Sequence, residues 1–102
     1  MIKKEIFKGK LLPASKIPSV RELAFKYQVN PNTMQKALTS LEEEGFIYTV
    51  RTNGKYVIDD QEFILKEKNK LAKNLYQEFI NTLKSLGYSN IEIKKIIKES
   101  DL

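Results

Sequence analysis

The sequence predicts a mainly α-helical protein with one small β-hairpin and a helical tail. Three observations predict it. Two short stripes of apolar residues recur at helical spacing on either side of a proline-marked turn; the pattern then changes to β-branched and aromatic residues around an Asn-Gly pair; and a long lysine-rich helical pattern follows.

Each element has its own signals. Ile2 and Ile6 lie four apart among Lys and Glu, and Gly9 stands where a C-terminal cap belongs, so one or two helical turns open the chain. Pro13 and Pro18 exclude a helix from Lys10 to Pro18, leaving an extended connection. Ser19 and Glu22 have capping-box spacing, and Val20, Leu23, Ala24 and Tyr27 form the stripe of a helix of about nine residues. Gln28-Val29 breaks that stripe. Asn30 can cap a new helix with Pro31 in its first position, and Met34, Ala37, Leu38 and Leu41 carry it to Gly45.

Phe46–Val50 and Tyr56–Ile58 then read as two strands joined by a tip from Arg51 to Lys55, because Asn53-Gly54 is the pair tight hairpins favour. Asp59-Asp60-Gln61 marks a boundary. Beyond it, Ile64, Leu71, Ala72, Leu75, Tyr76, Phe79, Ile80, Leu83 and Leu86 form a wide apolar stripe ending at Gly87. Ser89 and Glu92 make a second capping box for a last helix carrying Ile93, Ile96 and Ile97. Three helices, a helix-turn-helix turn and a hairpin make a winged helix-turn-helix domain, assigned to residues 1–60, with a two-helix tail at 61–102.

Composition narrows the function. The 102 residues carry 18 Lys+Arg against 13 Asp+Glu, a net +5, and contain neither Cys nor His. Thiol and imidazole catalysis, disulfides and the usual zinc sites are thereby excluded, and no cofactor or metal is expected. No apolar run reaches membrane-spanning length and no signal-peptide pattern opens the chain, so a cytoplasmic protein is expected. The excess charge is spread: residues 1–60 hold 10 basic and 7 acidic side chains, and residues 61–102 hold 8 and 6. Local arrangement must identify the partner.

That arrangement points to double-stranded DNA. With Met34, Ala37, Leu38 and Leu41 facing a core, Asn32, Gln35, Lys36 and Thr39 face solvent; Asn and Gln can pair bidentately with adenine, and Thr can meet the thymine methyl. Glu42, Glu43 and Glu44 would repel phosphate, so the N-terminal half of this helix is the part expected to enter the groove. Taken singly, Arg21 reads as a solvated helix residue, and Asn30 and Thr33 as capping residues. The run as a whole reverses that reading.

The run is Leu11-Leu12-Pro13, then Ile17-Pro18-Ser19-Val20-Arg21-Glu22-Leu23-Ala24, then Val29-Asn30-Pro31-Asn32-Thr33-Met34-Gln35-Lys36-Ala37-Leu38, then Leu41 through Gly45 to Arg51. From Lys8 to Val57 it resembles the DNA-binding domain of the GntR family of bacterial transcription regulators. The tail, with Leu86-Gly87-Tyr88-Ser89, resembles the YtrA subfamily. The resemblance implies DNA contacts at Arg21, at Asn32, Thr33 and Gln35, and along the wing tip at Arg51, Thr52, Asn53, Gly54 and Lys55. Ser19 and Lys36 are assigned to the same DNA-facing set. Ala14, Gln28 and Thr52 stand where the family has glycine, so a somewhat different backbone shape is expected in the turn and the wing.

A tail of two helices is too small to enclose a small-molecule pocket of several hundred Å³, and its wide stripe needs cover. A second copy of the chain is the expected cover, with Leu71, Leu75, Tyr76, Phe79 and Leu83 as the dimerisation residues. A membrane-surface role for Lys66, Lys68, Lys70 and Lys73 is the weaker reading, since Glu62, Glu67 and Glu78 interleave with them. The function expected is a homodimeric repressor of a palindromic operator, with a winged-helix protein-interaction module as the alternative. The carboxylate clusters lack a basic or nucleophilic partner, so an enzyme is not expected. The effector, if any, stays open.

Overall fold

A computed structural model describes residues 1–100. Its elements are α1 (Ile2–Phe7), α2 (Val20–Tyr27), α3 (Pro31–Glu43), β1 (Ile47–Val50), β2 (Gly54–Val57), α4 (Gln61–Ser85) and α5 (Asn90–Lys98). The fold is mainly helical with one antiparallel hairpin, as the periodicities predict. Backbone packing divides the chain into two compact units, Met1–Lys66 and Glu67 onward.

In the first unit, Ile2 and Ile6 of α1, Leu23 and Ala24 of α2, and Met34, Leu38 and Leu41 of α3 close on Ile17, Phe46, Ile47 and Val57. Met34, Leu38 and Val57 are fully buried, each stabilising the fold by about 1.5–3 kcal/mol relative to exposure. The local signals hold. Ser19 and Glu22 form the expected capping box, and Asn30 accepts from the Asn32 amide at 2.7 Å ahead of Pro31. Phe46 meets Phe7 and Phe63 edge-on at 5.6 and 5.3 Å between centroids. Phe63 sits in the first turn of α4, where its amide donates to Asp60 Oδ1 at 3.0 Å. Asp60 is therefore the cap of α4 as well as boundary punctuation.

The hairpin differs from expectation in register. Ile47 pairs with Val57, Tyr48 with Tyr56, Thr49 with Lys55, and Val50 with Gly54, so Gly54 and Lys55 belong to β2 and the loop is Arg51-Thr52-Asn53. The Asn53 amide donates to the Val50 carbonyl, and within the loop Thr52, not Asn53, takes a positive φ, as does Gly54 at the start of β2. The segment expected to be only an extended connection does more. Its Ala14 and Ile17 amides donate to the Val57 and Lys55 carbonyls, and the Val57 amide donates to Ser15, so it covers the outer edge of β2.

The backbone shape at the three positions implied to be glycine is a second correction. Ala14, Gln28 and Thr52 have φ of 64°, 53° and 68°, and they are the non-glycine residues with positive φ among those described. At Gln28 the pair 53°, 48° is near ideal left-handed helix, and the turn closes through the Val29 amide on the Ala24 carbonyl. The shape a glycine would adopt is kept, and the substitutions are accommodated as local strain.

In the second unit, the α4–α5 turn closes through the Tyr88 amide on the Leu83 carbonyl with Gly87 left-handed, and Ser89 and Glu92 form the second capping box. Ile93 is buried, whereas α4 has no buried residue. No helix among the described residues is long and apolar enough to cross a membrane.

Candidate nucleic-acid interface

The core decides which side of α3 is available. Because Met34, Leu38 and Leu41 are buried, Asn32, Thr33, Gln35 and Lys36 stand exposed, with amide, hydroxyl and ammonium groups at the N-terminal half of the helix. The Thr39 hydroxyl bonds back to the Gln35 carbonyl at 2.9 Å. The positive end of the α3 dipole lies at Pro31–Thr33, where an anion is favoured.

The other expected residues separate into two surfaces. Ser19, at the start of α2, shares a groove of about 590 Å³ with Asn53, Gly54 and Lys55 of the hairpin. Gly54 is favoured in that groove by its backbone, whose φ is +120°; a Cβ there would meet only the flexible end of the Lys16 side chain, at 2.9 Å. Arg21 borders a different depression, with Phe25, Lys26, Gln28 and Pro31. Arg51, Thr52 and Asn53 are exposed at the loop.

Lys55 is placed differently from its companions. It faces α3, its side chain is only 23% exposed, and its ammonium lies 3.0 Å from Glu42 Oε1 and 2.8 Å from Thr49 Oγ1. The Thr49 hydroxyl donates to the same carboxylate oxygen at 2.6 Å. These bonds hold the Glu42 carboxyl below its ordinary pKa, the Thr49 hydroxyl bond being the largest cause and the Lys55 bond the next. Glu44 is likewise paired, with Lys3 at 3.0 Å. Two of the three acids expected to repel phosphate are thus already matched by cations. Residue-by-residue reading missed this network because Lys55 was assigned to the loop; the signal was Thr49 standing opposite Lys55 once the register is known.

In the second unit, Leu71, Leu75, Tyr76 and Phe79 are 41%, 56%, 56% and 45% exposed, and Leu83 is half-buried. The depression along α4 is lined by one face of that helix, including Asn74, Glu78 and Thr82, and a single helix encloses no ligand. Among the described residues no cluster of acidic side chains could hold a metal ion.

Comparison with known proteins agrees with this geometry. Residues 1–57 match the family described as bacterial regulatory proteins, gntR family. The chain is 36% identical over 96 residues to the HTH-type transcriptional repressor YtrA of Bacillus subtilis, covering 93% of this chain and 72% of that relative. A GntR family transcriptional regulator from Listeria monocytogenes superposes with a TM-score of 0.87 at 41% identity, covering 98% of this chain and 88% of the other. The DNA-binding domain of AraR in complex with operator ORR3 superposes at 0.51 with 38% identity, covering 55% and 68%. A winged helix-turn-helix with polar groups at the start of α3, matched by family, relative and structure alike, leaves one conclusion: the chain belongs to the GntR family of bacterial transcriptional regulators, and its first unit carries the DNA-binding domain.

Proposed function

We propose that the chain represses transcription by binding a palindromic operator as a homodimer, one α3 in each half-site. The observation that carries this reading is the exposed set Asn32, Thr33, Gln35 and Lys36 on a helix whose opposite side is locked into the core by Met34 and Leu38. Arg21 of α2 and its N-cap Ser19 approach the flanking phosphates, and Arg51, Thr52, Asn53 and Gly54 form the wing contact. YtrA is a repressor and the AraR domain is bound to an operator, which supports the same assignment here. Residues 1–60 serve as the DNA-binding domain. Residues 61–102 serve as the dimerisation tail, because the exposed stripe of Leu71, Leu75, Tyr76 and Phe79 requires cover and a two-fold copy supplies it. A DNA-binding regulator of this kind acts in the cytoplasm, beside the DNA it reads.

The test is a titration of the protein against a palindromic duplex selected from a random-sequence pool, beside a scrambled duplex. The selected duplex is expected to bind about 10³-fold or more tightly at physiological salt. Equal binding would leave the interaction-module reading in its place.

A further inference from the structure

The ring of bonds joining Glu42, Thr49 and Lys55 has a consequence for the wing. Strand alternation places Thr49 on the same face of β1 as Ile47, and Lys55 on the same face of β2 as Val57; Ile47 and Val57 are buried, so this face looks toward α3. Thr49 has one hydroxyl proton and gives it to Glu42 Oε1, while its lone pair receives Lys55 Nζ, which also reaches Glu42. The three groups satisfy one another in a closed set. On the opposite side of the ladder, the Lys16 stem lies against Gly54. The Thr49–Lys55 pair, one step before the last pair of the ladder, is thus tied to α3.

We propose that Lys55 is a strut and not a phosphate ligand: through Thr49 it ties the wing to Glu42 on the far half of α3, and so sets where the Arg51–Asn53 loop stands relative to the reading residues of that helix. The inference rests on the reading of α3 and the wing as the DNA interface. A partly exposed ion pair adds little to stability, so its effect is expected in positioning and in charge. A lysine already neutralised by a carboxylate releases no counterion from DNA, whereas a phosphate ligand does.

The experiment measures affinity against salt for the wild-type chain, Lys55→Met, Glu42→Gln and the exchanged pair Glu42→Lys/Lys55→Glu, on the selected palindromic duplex and the scrambled one. As positioning residues, Lys55 and Glu42 are expected to show the same phenotype: several-fold weaker binding to the selected duplex, unchanged binding to the scrambled one, and an unchanged salt slope. The exchanged pair is expected to recover selective binding, because the strut is kept with its ends reversed. The proposal is overturned if Lys55→Met lowers the salt slope by about 0.9 per subunit, or if Lys55→Met weakens binding to the selected and scrambled duplexes alike. Should the wild-type chain not distinguish the duplexes, the operator reading fails separately. The strut then stands or falls on amide exchange, which must quicken between Thr49 and Lys55 in Glu42→Gln and in Lys55→Met; unchanged exchange in both refutes it.

Discussion

The ring of Phe63 meets that of Phe46 edge-on, 5.3 Å between centroids and 61° between planes. This contact joins the first turn of α4 to Phe46, two residues past the α3 cap Glu44, so the start of the long helix belongs to the first unit's core. Gly45, with φ of +88°, turns the chain beneath the Phe63 ring, which a Cβ there would meet at 3.4 Å, an ordinary contact. Phe46→Ala is expected to destabilise the first unit by about 3–5 kcal/mol, and a double-mutant cycle between the two rings to give a coupling of about 0.5–1.5 kcal/mol, read by denaturant unfolding. Zero coupling would mean the rings act independently.

Strain at the left-handed positions makes a prediction of opposite sign. Gln28 is exposed and loses no packing on truncation, so Gln28→Gly relieves the left-handed penalty and adds back only unfolded-chain entropy. A net stabilisation of about 0.5–1 kcal/mol is expected, or a few degrees in Tm. Gln28→Ala should give no such gain. A loss of stability in Gln28→Gly would show that the side chain contributes something beyond its backbone shape.

What was legible in the sequence was what is decided locally. The capping boxes at Ser19 and Ser89 and the Asn30-Pro31 start are set within one helical turn, and each forms as read. The hairpin loop was misplaced by its most familiar signal. Asn53-Gly54 suggests a tight central pair, but β2 also pairs with residues 14–17 from outside the hairpin. Long-range pairing of that kind leaves no mark on neighbouring residues. The exposed face of α3 was legible because its apolar spacing was, whereas the pairing of Lys55 with Glu42 followed only from the register.

Glu42 also predicts a pH dependence. Its carboxyl is held below its ordinary pKa in the folded chain, so the folded state binds that proton less readily than the unfolded one. The stabilisation is therefore complete above the ordinary carboxylate range and is lost as pH falls through the lowered folded value. The acid limb of the stability curve is expected to be flatter in Glu42→Gln than in wild type, as measured by urea unfolding between neutral and acid pH. Identical limbs would show that the carboxylate is not engaged.

The two classes of DNA contact should part under substitution. Asn32→Ala or Gln35→Ala is expected to lower discrimination among bases by about 1–3 kcal/mol each, and Arg51→Ala to weaken all sequences alike and reduce the salt slope by about one. Binding titrations on selected and scrambled duplexes measure both. Equal losses on both duplexes for all three variants would remove base reading from α3.

In the proposed homodimer, the exposed stripe on α4 is the interface. Leu75→Glu or Phe79→Glu places a charge where two copies would bury it, and each variant is expected to sediment as a monomer with operator affinity greatly reduced. A variant that remains dimeric would move the interface away from this face.

The most direct measurement of dimeric operator reading is the stoichiometry of the wild-type complex on a selected palindromic duplex, followed by sedimentation, beside a duplex with one half-site scrambled. Two chains per palindrome are expected, with protected half-sites centred about one helical turn or a multiple of it apart, and scrambling one half is expected to cost most of the affinity. One chain per duplex, or equal affinity for the intact and half-scrambled sites, would contradict it.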